Sequence, residues 1–247
     1  MKRKALLAVL ISMALCMATA VPAWAASTSK GDLPEGTALT VQASQDGSWI
    51  INKKSGTYVT KAQKKLFNQA VKGYTGMSFE PVFVMATQVV AGTNYAYFCK
   101  ASTVTQNPKT SWKVVIINKN LKGKVTLKKI NNFNYKKIST LKNAPKTSGM
   151  TGAWKNNSKA YTPNGIPAAA LKAFNKANAK YVGVDLTPLA LLSTQTVAGT
   201  NYRYLCRGVV PGKKAVNFYA VDVYKNLKGA AKITSCRVVN MEKYLTY

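Results

Sequence analysis

The side chains with the widest chemical range in this sequence are its cysteines, and three of the four, Cys99, Cys206 and Cys236, lie beyond the N-terminal segment. A thiol acts as nucleophile or metal ligand only as the thiolate, which needs a base, a cationic neighbour or a helix N-terminus beside it. The chain has no histidine, which removes Ser-His-Asp and Cys-His catalysis and every His-ligated metal site. Its 7 Asp plus Glu residues are scattered, so a calcium cage or acidic metal cluster is not expected. Cys99 and Cys206 fall within apolar, strand-like stretches and read as small buried hydrophobes. An oxidising compartment permits disulfides, but three cysteines leave at least one unpaired within a chain. With no base, nucleophile or metal constellation, the residues point to a binding protein, not an enzyme, and to no cofactor.

Charge is the next constraint. Lys plus Arg number 36 in 247 residues, for a formal net charge of +29. Lys2, Arg3 and Lys4 precede an apolar stretch over 5–21, and Ala23-Trp24-Ala25 ends in small residues. This is the pattern of a secretory signal peptide over 1–25, cut after Ala25, so the mature chain is expected to be secreted, periplasmic or extracellular. Cys16 follows Leu15, which is too large for a usual lipobox, so lipidation is not expected. Nothing else approaches the length of apolar chain that spans a bilayer. Losing the three leader charges takes +29 to +26, above the roughly 2–8 that solubility asks of a small domain. A field of that sign attracts polyanions such as anionic cell-envelope polymers. Sequence-specific nucleic-acid reading is not expected, because the lysines are dispersed and no reading motif is present.

The chain repeats itself. Residues 86–97 (ATQVVAGTNYAY) return at 193–204 (STQTVAGTNYRY), an offset of 107. Phe67-Asn68 returns as Phe174-Asn175, Pro81 as Pro188, Cys99 as Cys206, and Asn120-Leu121-Lys122-Gly123 as Asn226-Leu227-Lys228-Gly229. Gly47-Ser48-Trp49 matches Gly152-Ala153-Trp154. Units this long exceed solenoid repeats and are large enough to hold a core each. The expected organisation is a polar lead-in over 26–46, a first domain over 47–132, a Lys-rich linker over 133–149 and a second domain over 150–247. Basicity belongs to both halves: residues 44–132 carry 14 basic and 2 acidic residues, and residues 150–247 carry 14 and 3.

Each unit reads as strand, helix, four strands. Ala62, Leu66, Phe67, Ala70 and Val71 recur at helical spacing with lysines opposite, which predicts a helix over 60–72; the second helix starts near Pro167 and ends around Lys180. The strands are expected over 79–90, 93–104, 111–119 and 124–132, then 185–197, 200–210, 214–225 and 230–241, where Val, Tyr, Phe, Ile and Thr dominate. Glycines mark the turns at Ala91-Gly92, Ala198-Gly199, Lys122-Gly123 and Lys228-Gly229.

The segment Gln88-Val89-Val90-Ala91-Gly92-Thr93-Asn94-Tyr95, repeated as Gln195-Thr196-Val197-Ala198-Gly199-Thr200-Asn201-Tyr202, resembles the Q-x-V-x-G hairpin with T-N-Y of the cystatin and stefin family. Tyr224 to Gly229 resembles the second stefin hairpin, with Leu227 (and Leu121 in the first unit) at the tip. Gly47 and Gly152 lie 41 and 43 positions before the glutamines, as a family glycine does. The resemblance implies an α+β fold of two tandem cystatin-like domains, each one helix packed on a curved antiparallel sheet of four to five strands. It also implies inhibition of papain-like cysteine proteases. The two hairpins and the glycine segment would enter the protease cleft as a wedge, with Gln88, Val89, Val90, Ala91, Gly92, Gln195, Thr196, Val197, Ala198 and Gly199 foremost, then Leu121 and Leu227, then Gly47 and Gly152. The sequence departs from secreted animal cystatins in lacking their two disulfides and the Pro-Trp of their second hairpin. The alternative reading is a non-inhibitory binding protein that attaches to anionic polymers through its charge.

Overall fold

The computed structural model describes residues 47–52, 59–135, 152–157, 166–213 and 215–246. The leader, the lead-in before Gly47 and the linker beyond Tyr135 lie outside the described residues.

Ten strands and two 11-residue helices follow in chain order: β1 Trp49–Ile51, α1 Lys61–Val71, β2 Met77–Val90, β3 Gly92–Thr103, β4 Thr110–Lys119, β5 Val125–Asn132, β6 Lys155–Asn156, α2 Ala168–Asn178, β7 Asp185–Val197, β8 Gly199–Val209, β9 Val216–Lys225 and β10 Ala231–Val239. A 3-10 turn at Glu242–Tyr244 follows. Each half forms one antiparallel meander, β1-β2-β3-β4-β5 and β6-β7-β8-β9-β10.

Local chemistry starts each helix differently. Thr60 caps α1 in a capping box: its hydroxyl accepts from the Gln63 N–H at 3.2 Å, and the Gln63 side chain accepts from the Thr60 N–H at 2.8 Å. Pro167 precedes α2 and provides no side-chain cap. Both helices are pinned by the same bond. The Tyr97 hydroxyl donates to the Gln63 carbonyl at 3.0 Å, and the equivalent Tyr204 hydroxyl donates to the Ala170 carbonyl at 2.8 Å.

The core has three parts. Phe67 of α1 packs with Val84, Tyr97, Cys99, Val115 and Ile117 on one face of the first sheet. Ala170, Ala173, Phe174 and Ala177 of α2 pack with Tyr204, Cys206, Val221 and Val223 on one face of the second. The largest cluster holds no residue of α1 or α2. It joins Phe83, Met85, Ala96, Phe98, Trp112, Val114 and Ile116 of the first half to Leu189, Leu192, Leu205, Phe218 and Ala220 of the second. Phe83 stacks on Phe98 and on Phe218, with centroids 5.2 and 6.1 Å apart. The Trp112 indole N–H donates to the Leu192 carbonyl at 2.9 Å.

The expected fold class, two tandem cystatin-like α+β domains, is thereby corrected. Among the described residues antiparallel strand far outweighs helix, and the two five-stranded sheets meet face to face over a shared core. The physical reason lies in the strands. Val82 to Ala86, Val114 to Ile117 and Leu189 to Leu192 are buried without a break. Side chains alternate faces along a strand, so unbroken burial means that both faces are covered. One helix covers one face, and the other half of the chain covers the second.

Candidate functional site

One end of the first sheet gathers segments that are distant in the chain. β2 and β3 join at a hairpin in which Val90 pairs with Gly92, leaving Ala91 alone at the tip. β4 and β5 join over Asn120 to Lys124. There the Asn120 N–H donates to the Lys124 carbonyl at 3.0 Å, and the Asn120 side chain accepts from the Lys124 N–H at 2.9 Å. Gly123 takes φ +81°, the left-handed corner that such a loop assigns to glycine. Leu121 is carried at the tip, 84% exposed, and Val90 is 42% exposed. Both apolar tips thus project where nothing in the first half covers them.

A ladder of amides holds this end together. The Gln88 side chain donates to the Gly47 carbonyl at 2.7 Å, the Asn94 side chain donates to Gln88 Oε1 at 2.7 Å, and the Asn118 side chain donates to Asn94 Oδ1 at 2.8 Å. The rungs sit on neighbouring strands in direct register: Trp49 opposite Gln88, Gln88 opposite Asn94, and Asn94 opposite Asn118. Gly92 is set by crowding. A Cβ there would lie 2.2 Å from the Lys119 carbonyl oxygen and 2.7 Å from the Asn120 Cα, and its φ is +114°. The first hairpin therefore rests on the backbone of the second, an approach closed to any side chain.

The second half builds the same end. The Gln195 side chain donates to the Gly152 carbonyl at 2.9 Å, and the Asn201 side chain donates to Gln195 Oε1 at 2.8 Å. Val197 pairs with Gly199 around Ala198. A Cβ on Gly199 would meet the Lys225 carbonyl at 2.4 Å, and one on Gly152 the Thr196 carbonyl at 2.6 Å. Leu227 is 83% exposed at its tip, and Thr196 and Ala198 are exposed. The third rung differs: Tyr224 stands opposite Asn201, and its hydroxyl donates to the Ala198 carbonyl at 2.5 Å.

All the nominated residues, from Gly47 and Gly152 through Gln88–Gly92 and Gln195–Gly199 to Leu121 and Leu227, thus fall at one end of their own sheet. The two ends point away from each other. Trp112, on the part of β4 remote from the hairpins, bonds to Leu192, three residues before Gln195, and the Asn156 side chain donates to the Thr110 carbonyl. The hairpin end of the second sheet therefore lies over the remote end of the first. From the sequence Asn118 had no assignment and Tyr224 only a place at the start of the second hairpin, while Asn94 and Asn201 were named within the hairpin motif and given no bonding role. Their one signal was the repeated T-N-Y; their role depends on cross-strand register, which no local pattern states.

The cysteines do not form a reactive group. All three are free thiols. Burial pushes the Cys99 and Cys206 thiols well up from the ordinary range and raises Cys236, where a bond from Tyr181 partly opposes it. Among the described residues no helix is long and apolar enough to cross a membrane. No protein-family model matches the chain, and no curated protein matches it.

Proposed function

We propose that the protein is an exported inhibitor of papain-like cysteine proteases, seating its hairpin ends in the active-site cleft without covalent chemistry. The observation that supports this reading is the convergence, made twice, of a glycine segment, a one-residue hairpin and an exposed leucine tip on one sheet end. Val90 and Leu121 offer apolar surface to bury, with Val197 and Leu227 as their counterparts. Gly92 and Gly199 let the two hairpins lie against each other as one narrow edge. The amide ladder orders that edge before binding, so little conformational freedom remains to be lost on contact. Each edge ends on backbone and short side chains, which suits a deep, narrow cleft.

The test is titration of residues 26–247 against papain with a small peptide substrate at low and high salt. Competitive inhibition unaffected by salt is expected. Because the two ends face apart, one inhibitor should occupy two protease molecules, and Leu121→Asp or Leu227→Asp should each remove one equivalent. These leucines are exposed, so the variants test contact and not folding. Absence of inhibition at micromolar excess, or inhibition abolished by salt, overturns the reading.

A further inference from the structure

The outer face of α1 is a surface that neither the fold nor the hairpin ends account for. Lys61, Lys64, Lys65, Asn68, Gln69 and Lys72 line one shallow groove along it, and all six are exposed. The opposite face of the helix is committed to the sheet through Phe67. The charge arrangement opposes the helix. Lys61 stands three and four residues before Lys64 and Lys65, where like charges repel. The first turn holds no acid and carries Lys61 and Lys64, the reverse of what the helix dipole favours there, while Lys72 at the C-cap is favourably placed. Of the four acids among the described residues, Glu80 is held by Lys100 at 2.7 Å and Asp222 by Arg203 at 2.6 Å.

The second half supplies an internal control. At the 107-residue offset, Lys61, Lys64 and Lys72 correspond to Ala168, Leu171 and Ala179, while Phe67 corresponds to the equally buried Phe174. α2 therefore seats on its sheet without these lysines. On α2, Lys176 is engaged within the molecule, donating to the Gly229 carbonyl at 2.9 Å. Lys61, Lys64 and Lys72 are a property of the first half alone, whereas Lys65 recurs as the exposed Lys172, and the architecture does not call for those three.

We propose that this face of α1 binds a linear polymer carrying regularly repeated phosphate groups, independently of the hairpin ends. The helix sets Lys61, Lys65 and Lys72 along one stripe, four and seven residues apart, so the ammonium groups run for about 16 Å at 1.5 Å per residue. An extended polyanion laid along the stripe meets several of them in turn. Phosphate fits compact ammonium charges flanked by the neutral donors of Asn68 and Gln69, because it offers several acceptor oxygens to each. Nucleic acid fits less well: the groove has no aromatic side chain on which a base could stack and no arginine fork. A membrane surface fits less well too, because the apolar face that would enter it is buried on the sheet.

The test is binding of inorganic polyphosphate and of a glycerol-phosphate polymer, each followed as a function of salt. The variant Lys61→Ala, Lys64→Ala, Lys72→Ala takes small residues like those of α2. Its control, Lys128→Ala, Lys129→Ala, Lys232→Ala, removes the same charge from exposed positions on β5 and β10. Expected is a loss of about 10-fold or more in affinity for both polymers with the first variant, and a fall of about 2 in the slope of log affinity on log salt. The control should lose less than about 3-fold. Melting temperature checks that both variants fold, and the α1 variant should melt no lower than the parent. Equal losses in the two variants would mean diffuse charge attraction and overturn the proposal. So would stronger binding of a single-stranded oligonucleotide or of anionic vesicles than of either polymer. Binding of one polymer alone would restrict the source without changing the chemistry. Protease inhibition should be the same in both variants, so failure here and failure of the inhibitor reading are separately visible.

Discussion

The two halves share a backbone plan and differ most where they meet. In the first sheet, Ile51, Ala86, Ala96 and Ile116 stand side by side across four strands; in the second, the same row is Asn156, Ser193, Arg203 and Asp222. One row is apolar throughout and the other polar throughout. Arg203 and Asp222 are each 3% exposed and joined by two bonds of 2.6 and 2.9 Å. The guanidinium lies 4.3 Å over the Trp154 ring and 5.9 Å from that of Tyr135. The Tyr135 hydroxyl bonds Asn156, and burial raises its pKa against the opposing effects of Ser193 and the Arg203 charge. A tandem repeat with two identical inner faces would pair as readily with a second copy as with itself. The polar row makes the faces unequal and ties the end of the first half to the start of the second.

The largest expected effect follows from that row. Asp222→Ala strands a buried guanidinium and should cost about 3–5 kcal/mol. The double replacement Arg203→Ala, Asp222→Ile installs the residues of the first half and should come within about 1 kcal/mol of the parent or exceed it. Urea unfolding of the two variants decides this. If the double variant is as unstable as the single, the row does more than satisfy itself. Size-exclusion chromatography of the double variant then tests the role in pairing: if it elutes at the same size as the parent, the row does not set the partner of the sheet.

The hairpin ends provide a second comparison, between glycines with the same sign of φ and different surroundings. Gly92 and Gly123 have φ of +114° and +81°, but a Cβ on Gly92 strikes backbone at 2.2 Å while one on Gly123 meets nothing within 4 Å. Gly123→Ala should cost about 1 kcal/mol, the conformational term alone. Gly92→Ala should cost about 2–3 kcal/mol, because the second hairpin must also move. Denaturation midpoints measure both. Equal losses would show that the hairpins are not braced on each other.

Much of this was readable from the residues. The helices over Lys61–Val71 and Ala168–Asn178 and the eight long strands lie where spacing and composition put them, because helical periodicity and glycine turns are local signals. The partner of the second sheet face was not. The apolar runs around Phe83, Val115 and Leu191 carried the clue, since no single helix could cover both faces of such strands, but a run says that it is buried and not by what. Arg203 and Asp222 sat 19 residues apart in apolar surroundings, and only the β8–β9 register makes them a pair. The Gln88 and Gly47 association came through a motif; the amide rungs between strands did not, because an asparagine in a strand has the same letter whether it faces water or another amide.

The smallest effect concerns what the halves share. Tyr97 and Tyr204 hold the two helices to their sheets through equivalent hydroxyl–carbonyl bonds. Tyr97→Phe and Tyr204→Phe each remove one donor and should each cost about 1 kcal/mol. Their pH behaviour should match as well. Burial, reinforced by neighbouring Tyr95 and Cys99 for Tyr97 and by Tyr202 and Cys206 for Tyr204, pushes both hydroxyls above their ordinary value of 10.0. A phenol with a raised pKa in the folded state stays protonated there while the unfolded chain already ionises. Both tyrosines therefore support folding fully below pH 10, and that support is lost as pH rises beyond it. Melting temperature followed from pH 8 to 12 should decline above 10, and in each Phe variant the decline should be shallower. An unchanged slope in one variant would mean that the tyrosine of that half ionises within the fold, and that the two helix anchors are not equivalent.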